Sequence, residues 1–240
     1  DLPKGESLTL QCGEILQKGN FYRGNLRSAQ EEYTYISNGE KAHIRPHFTF
    51  YGFRYLNVKI QGEVNLEDFT AWVLHSDLPR TGEILTANPK INQLFHNALW
   101  GQKGNFLDVP TDCPQRDERM GWTGDAQIFC GTACYNMYTP AFFSKYLYDM
   151  LFEQRYFGGA VPHVVPQMMR NQKSIMLGKD ASCVASCAWG DAAAVIPWTI
   201  YLHYGNKKAL CRQFQNMCGW VDYIKNQDEK DGGTRLWRTG

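Results

Sequence analysis

The sequence carries almost no net charge and no basic tract. Its 25 Lys and Arg residues are nearly balanced by 24 Asp and Glu residues, and the formal net charge at pH 7 is +1. Nucleic acids and anionic membrane surfaces bind proteins through a local excess of positive charge. We therefore expect neither a nucleic acid nor a membrane as a partner.

Long apolar runs are also absent. The chain has no stretch of about 18 consecutive apolar residues, the length that a membrane-spanning helix needs. The first residues, Asp1 to Glu6, do not have the basic and apolar regions of a signal peptide. Because the chain could be cut from a longer protein, this says little about export, and the compartment stays unknown.

Closely spaced metal ligands are missing, although the chain has eight cysteines. None of them forms a C-x-x-C pair, and a zinc site would need tighter pairs with histidines nearby. Cys130 and Cys134, like Cys183 and Cys187, are spaced to share one helix face, which predicts buried stripes of small apolar side chains. We expect no metal and no cofactor. The composition is not that of a small disulfide scaffold and favours a reducing compartment.

Alternating apolar residues mark the first part of the chain. With 240 residues, of which 43% are hydrophobic, the chain can form one large or two modest domains with apolar cores. The alternation predicts three strands, at Leu8–Cys12, His47–Ile60 and Phe69–His75. Gly52 indicates a bulge or kink, and Gly19-Asn20 and Asn38-Gly39 are turn signals. We therefore expect an antiparallel β-sandwich over residues 1–80.

From Asn88 onward the apolar period becomes that of helices. The predicted helices begin at Asn88-Pro89, Asp125 and Thr139-Pro140, and two more cover Ala188–Tyr204, interrupted by Pro197 and ended by Gly205-Asn206, and Lys207–Gln227. Their hairpin arrangement predicts an α-toroid, an (α/α)6 barrel, over residues 81–240. These are about five helices, whereas six hairpins contain two helices each. We therefore expect the barrel to be truncated.

Two of these helices carry apolar stripes that we expect to be buried. The first stripe comprises Ile91, Leu94, Phe95, Ala98 and Leu99. The second, on the last helix, comprises Leu210, Phe214, Met217, Trp220, Val221 and Ile224. Both follow the helical period, as the core-facing side of a helix does.

The densest group of functional side chains runs from Asp108 to Gln127. Prolines and glycines interrupt it, which predicts a shaped loop. Its charged residues and its one indole are Asp108, Asp112, Arg116, Asp117, Glu118, Arg119, Trp122 and Asp125. Carboxylates accept hydrogen bonds from sugar hydroxyls, an indole stacks on a sugar ring, and one carboxylic acid can protonate a glycosidic oxygen. The stretch therefore has the chemistry of a sugar site.

Each of these residues also has an ordinary structural interpretation. Glu118 could be ion-paired with Arg116 or Arg119, Asp125 could only cap a helix, and Trp122 could be a core residue. Arg119 is best explained as a structural residue that pairs with carboxylates. A general acid also needs a raised pKa, which neighbouring carboxylates favour and neighbouring arginines oppose. The sequence leaves that balance open.

A hard-cation site is a further alternative for the same stretch. Asp112, Asp117 and Asp125 together offer the oxygen ligands that calcium prefers. The arginines within the same loop argue against a cation there, because they would compete for the carboxylates.

The stretch from Pro110 to Gln127 resembles the signature of bacterial α-L-rhamnosidases, glycoside hydrolase family 78. Further similarity lies in Pro46–Tyr55, Val161–Pro166 and Ala188–Ala193, and in Pro197-Trp198. The resemblance implies a catalytic (α/α)6 barrel preceded by β-sandwich domains. It also implies removal of terminal α-L-rhamnose from a rhamnose-containing glycoside or polysaccharide, with inversion of configuration, in a bacterial cytoplasm or periplasm.

The resemblance also implies roles for single residues. Glu118 matches the general acid of the family, and Trp189 matches a further aromatic wall of the sugar site. Whether its neighbour Asp191 has a structural role or a role in the site stays open. The residues that match the lining of the rhamnose subsite are Asp112, Arg116, Asp117, Trp122 and Asp125.

The general base of the family is a glutamate in later barrel helices, and nothing in this chain matches it. We therefore expect that these residues alone do not hydrolyse rhamnosides, and that uncovered helix faces make the piece sticky or a homodimer. The alternative is a non-catalytic carbohydrate-binding protein or an inactive fragment.

Overall fold

The structure, a computed structural model, describes residues 2–168 and 184–235. The chain divides into two compact units. The first, which we call the β-unit, comprises Asp1–Leu74 and Cys113–Arg119, and the second, the helical unit, comprises His75–Asp112 and Met120–Gly240. Among the described residues, no helix combines the length and the apolar character needed to cross a membrane. The predicted division into residues 1–80 and 81–240 stays a prediction.

The β-unit is built on an antiparallel sheet of three strands. Strand β1 (Ser7–Gly13) lies in the centre, between β4 (Glu32–Ile36) and β5 (Tyr55–Lys59). Leu10 of β1 is paired with Tyr33 on one side and with Val58 on the other. The strand predicted at Leu8–Cys12 lies within β1 and is therefore confirmed. Successive side chains of a strand point to opposite faces of its sheet, which explains the alternation.

A separate hairpin follows the first strand. Strands β2 (Ile15–Gln17) and β3 (Asn20–Tyr22) pair across Lys18 and Gly19, whose φ angles are 52° and 80°. A two-residue hairpin turn needs positive φ angles, which glycine adopts at little cost. The turn signal at Gly19-Asn20 was misplaced by one residue: the turn lies at Lys18 and Gly19, and Asn20 already belongs to β3, where it pairs with Gln17.

Of the other two strand predictions, one was too long and one was wrong. Only Tyr55–Lys59 of the stretch His47–Ile60 is a strand, and Gly52 lies outside it. A Cβ atom at Gly52 would lie 2.8 Å from Pro114 Cγ, so the glycine permits a close approach rather than a bulge. Phe69–His75 forms no strand, and Trp72 within it is 82% exposed. Alternating apolar residues do not form a strand unless another strand pairs with them, and no described strand pairs with this segment.

The helical unit contains five described helices. They are α1 (Pro89–Asn105), α2 (Thr123–Asn136), α3 (Pro140–Tyr156), α4 (Ala192–Tyr204) and α5 (Lys207–Lys230). Short strands β6 (Phe106–Leu107) and β7 (Val109–Pro110) form a tight turn after α1. The switch to helices near Asn88 is therefore confirmed.

Local signals explain where the helices begin and end. Asn88 Oδ1 accepts a hydrogen bond of 3.0 Å from the N–H of Lys90, and Pro89 occupies the first helical position. Gly205 ends α4 with a φ of 65°. Helix α4 begins at Ala192 rather than Ala188, and Pro197 does not interrupt it. Pro197 is buried, so packing offsets the hydrogen bond that proline cannot make.

The core of the helical unit lies among α2, α3, α4 and α5. Helix α2 packs on α4, which in turn packs on α5, and α3 contacts both α4 and α5. Cys130 and Cys134 are buried in this core, as predicted. The second cysteine pair was wrongly placed on a helix: Cys187 is exposed in a turn, and Cys183 lies outside the described residues.

The predicted apolar stripes are only partly buried. Leu94 on α1 and Phe214 on α5 are exposed, whereas Leu99 and Trp220 are buried. Helix α5 instead directs the amides of Gln213 and Asn216 into the interior, where they bond to each other. The stripes were wrong at the exposed positions because burial depends on a partner, and none of the described elements covers those positions.

Glycine substitutions test the packing of the helical unit. A Cβ at Gly190 would overlap the ring of Trp220, so Gly190→Ala should lower stability by roughly 1–3 kcal/mol, the usual cost of overpacking. Gly131, on α2, faces open space, and Gly131→Ala should raise stability by about 0.5–1 kcal/mol. Urea unfolding of this chain followed by circular dichroism measures both. Equal stability of the two variants would contradict the packing.

Candidate functional site

The segment from Asp108 to Gln127 belongs to the helical unit, except for Cys113–Arg119, which belongs to the β-unit. Asp112 and Met120, both in the helical unit, are joined by two hydrogen bonds of 3.2 Å. In one the N–H of Asp112 donates to the carbonyl of Met120, and in the other the N–H of Met120 donates to Asp112 Oδ1. The pair closes the base of the segment Cys113–Arg119, which we call the motif loop. Asp112 was predicted to bind sugar, and its Oδ1 accepts one of the two hydrogen bonds that close the motif loop.

Arg119 holds the end of the motif loop within the β-unit. Its Nη1 donates to the carbonyl oxygens of Phe50 at 2.6 Å and Pro114 at 3.1 Å, and its guanidinium lies 4.5 Å from the centre of the Phe50 ring. Glu31 Oε1 is 3.5 Å from the same nitrogen. Arg119 therefore has the structural role that its sequence context favours.

Asp117 is bound by two residues that the sequence did not indicate. Arg27 Nε and Nη2 lie 2.8 Å and 2.5 Å from Asp117 Oδ1. The Ser28 hydroxyl and the Ser28 N–H both donate to Asp117 Oδ2. These bonds, first from Ser28 and then from Arg27, lower the pKa of Asp117 below its ordinary value. The carboxylate is thus held ionised within the β-unit.

Glu118, the predicted general acid, lies between two guanidinium groups. Arg116 Nη2 is 2.6 Å from Glu118 Oε1, and Arg27 Nη2 is 3.1 Å from Glu118 Oε2. The Glu118 side chain keeps 19% of its surface exposed. Of the two ion pairs considered from sequence, the one with Arg116 is present, while Arg119 pairs with Glu31 instead. The contact with Arg27 could not be found from any motif spacing.

The helical unit brings three of the predicted residues to the start of α2. Trp122 immediately precedes the helix and is mostly buried, and Asp125 is exposed in the first turn. Trp189 packs on Gly124, where a Cβ would lie 3.0 Å from its Nε1. Asp125 is not the N-cap of α2, which the sequence left possible. Its charge still favours this helix end through the helix dipole.

Two neighbouring residues complete this part of the helical unit. Asp191 accepts hydrogen bonds of 2.9 Å from the N–H of Ala188 and from Trp220 Nε1. These two bonds favour a structural role for Asp191. His163, which the sequence did not single out, is buried 5.7 Å from the ring of Trp189, and burial lowers its pKa.

Two protein-family models match the two parts of the chain. The model of the bacterial alpha-L-rhamnosidase 6 hairpin glycosidase domain matches residues 79–240, and that of the bacterial alpha-L-rhamnosidase concanavalin-like domain matches residues 1–75.

The chain belongs to the bacterial α-L-rhamnosidase family.

Individual α-L-rhamnosidases are similar over nearly the whole chain. One from Alteromonas sp. (strain LOR) is 39% identical over 228 residues, which are 93% of this chain and 24% of that protein. One from Streptomyces avermitilis is 38% identical over 229 residues, 94% of this chain and 21% of that protein. The chain thus spans about a quarter of the length of these relatives.

Solved α-L-rhamnosidases share the fold. The Streptomyces avermitilis α-L-rhamnosidase complexed with L-rhamnose has a TM-score of 0.82 at 36% identity, over 93% of this chain and 21% of that one. Native α-L-rhamnosidase from Aspergillus terreus has a TM-score of 0.81 at 35% identity, over 92% and 25% of the two chains. The predicted fold class, an antiparallel β-domain followed by part of an (α/α)6 barrel, is confirmed.

Glu31 gives the β-unit a pH-dependent stability. Burial raises its pKa to about 7, although Arg119 and a hydrogen bond from Gly52 oppose the shift. An unfolded glutamate releases its proton near its ordinary value of 4.5, so the folded state binds more protons between about 4.5 and 7. Stability should therefore fall as pH rises through that window, by on the order of 2–3 kcal/mol.

The substitution Glu31→Gln should remove most of this slope, and Glu40→Gln, at an exposed position, should leave it in place. Urea unfolding of the two variants and of the unchanged chain at several pH values compares the slopes. A slope that persists in Glu31→Gln would assign the titration to another group.

Proposed function

We propose that this chain contributes to an enzyme that hydrolyses terminal, non-reducing α-L-rhamnose from α-L-rhamnosides with inversion. The proposal is supported by relatives at 38–39% identity that are named α-L-rhamnosidases, one of them solved with L-rhamnose. The observation that carries it is the placement of Glu118. Its carboxyl group is fixed by Arg116 and Arg27 while part of its surface reaches solvent.

Glu118 is the proposed general acid. It would protonate the glycosidic oxygen while a second carboxylate activates water on the opposite face of the sugar. Asp117 is a poor candidate for that second group, since Arg27 and Ser28 supply all four hydrogen bonds that a carboxylate ordinarily accepts. The family resemblance implies that the general base is a glutamate in later barrel helices.

Asp112, Arg116, Trp122, Asp125 and Trp189 are the proposed contacts to the sugar. Hydroxyl hydrogen bonds suit the charged groups, and ring stacking suits the two indoles. The filled acceptor sites of Asp117 favour an indirect role for that residue, through the placement of Arg27. The substrate would be a rhamnose-containing glycoside or polysaccharide, and a homodimer stays a prediction.

A non-catalytic carbohydrate-binding protein is the second candidate. Glu118 forms ion pairs with Arg27 and Arg116, as a carboxylate with a purely structural or binding role also does. Substitution of Glu118 separates the two functions, because it lowers the turnover of an enzyme, whereas a non-catalytic protein has no turnover to lower.

The substitution Glu118→Gln tests the acid directly. In the complete enzyme, the amide keeps the shape of the side chain but has no proton to give, so turnover of an alkyl rhamnoside should fall about 10²–10⁴-fold. A rhamnoside with a highly acidic phenol as leaving group should lose less. The matched control is Glu83→Gln, at an exposed position, which should keep full activity. Turnover of the alkyl rhamnoside close to normal in Glu118→Gln would contradict the role.

Asp125 tests the sugar contacts, because it is exposed and its loss should not disturb the core. Asp125→Ala should lower kcat/KM on rhamnosides by roughly 10–100-fold, the usual cost of leaving a sugar hydroxyl without its partner. Asp222→Ala, an exposed carboxylate on α5, serves as the control. Equal kinetics of the two variants would remove Asp125 from the site.

A further inference from the structure

Arg27 contacts both carboxylates of the motif loop with one guanidinium group. Its Nη2 lies 2.5 Å from Asp117 Oδ1 and 3.1 Å from Glu118 Oε2, and its Nε adds a second bond to Asp117. A planar guanidinium presents its donors in a fixed fork. Since Asp117 binds both Nε and Nη2 of this group, the orientation of Nη2 toward Glu118 is fixed as well.

The backbone of Arg27 has an unfavourable conformation for a residue with a side chain. Its φ is 58° and its ψ is −117°, in a region that glycine adopts more readily. Such a conformation persists only where surrounding contacts determine it, and it often marks functional positions. The contacts with Asp117 and Glu118 fix the side chain of Arg27 at this position.

Within the β-unit, the named charges beside Glu118 offset one another. The titratable and charged groups of this unit beside it include Arg27, Arg116, Asp117 and the thiol of Cys113, whose Sγ lies within 4.8 Å of a Glu118 oxygen. Two of these groups are cations, and Asp117 is an anion that pairs with one of them. Asp117 therefore offsets the charge of Arg27, and it does so without removing the hydrogen bond to Glu118.

We propose that Arg27, a residue of the β-unit, is a positioning residue for the acid step, orienting the Glu118 carboxyl group and stabilising the charge that develops on it. This inference rests on the proposed role of Glu118. As the bond between the sugar and the leaving oxygen breaks, its electron pair stays on that oxygen, which takes the proton from Glu118. Glu118 becomes a carboxylate, and the fixed guanidinium of Arg27 stabilises it without rearrangement.

This role predicts a specific pattern of kinetic defects. Without Arg27 the Glu118 carboxyl group is no longer oriented by a fixed guanidinium and the charge that develops on it is less stabilised, so leaving groups that need protonation are slowed most. Substrate binding should change little, so the loss falls on kcat rather than on KM.

The variant Arg27→Gly suits the backbone, because glycine accepts the observed φ, and it removes the guanidinium. In the complete enzyme it should lower kcat on an alkyl rhamnoside about 10²-fold and on an acidic-phenol rhamnoside clearly less. Millimolar guanidinium in the assay should restore part of the activity. Arg27→Lys, which keeps the charge but not the fork, should have an intermediate rate.

Arg23→Ala is the matched control. Arg23 belongs to the same segment of the β-unit and pairs with Glu32 on the sheet, so its loss also removes one cation. It should show neither the leaving-group dependence nor the guanidinium rescue. Thermal unfolding of all three variants separates loss of fold from loss of function.

Several results would overturn the inference. Normal activity of Arg27→Gly, or an equal loss on both substrates, would leave Arg27 a structural residue. The same holds if Arg23→Ala reproduces the defect, or if Arg27→Gly fails to fold while Arg27→Lys behaves as the unchanged enzyme. Normal turnover in Glu118→Gln would instead refute the proposed function itself, so the two failures are distinguishable.

Discussion

The motif loop depends on ionic hydrogen bonds to partners far away in the sequence. Asp117 binds Arg27 and Ser28, about ninety residues upstream, and Arg119 binds Glu31 and the main chain of Phe50. The Arg27 side chain is largely exposed to solvent, so its pairs contribute little to stability. Their effect is geometric: Asp117 and Arg119 are both fixed, and Glu118 between them has few orientations left.

The parts of the fold that the sequence predicted are those determined within a few residues. The start of α1 follows from Asn88 and Pro89, because the cap and the first turn lie side by side in the chain. The end of α4 follows from Gly205 for the same reason. The strand expected at Phe69–His75 and the burial of Phe214 failed because both needed a partner element, which periodicity does not supply.

The candidate site divides in the same way. The motif placed Arg116 beside Glu118, two residues apart, and the structure has that ion pair. It could not indicate Arg27, whose neighbours carry no signature. Asp191 shows the same limit: its role depends on the indole of Trp220, on another helix. Which acceptor sites of a carboxylate are occupied is a question of tertiary contacts, and residue types alone leave it undetermined.

The proposed acid step needs the Glu118 carboxyl group in one orientation and a fixed cation beside the charge that develops on it. Arg27, 3.1 Å from Glu118 Oε2, can supply both only if it is itself held in place, and Asp117 holds it. A carboxylate that is itself saturated with hydrogen bonds suits this task, since it keeps its charge and has no acceptor site left for the proton of Glu118.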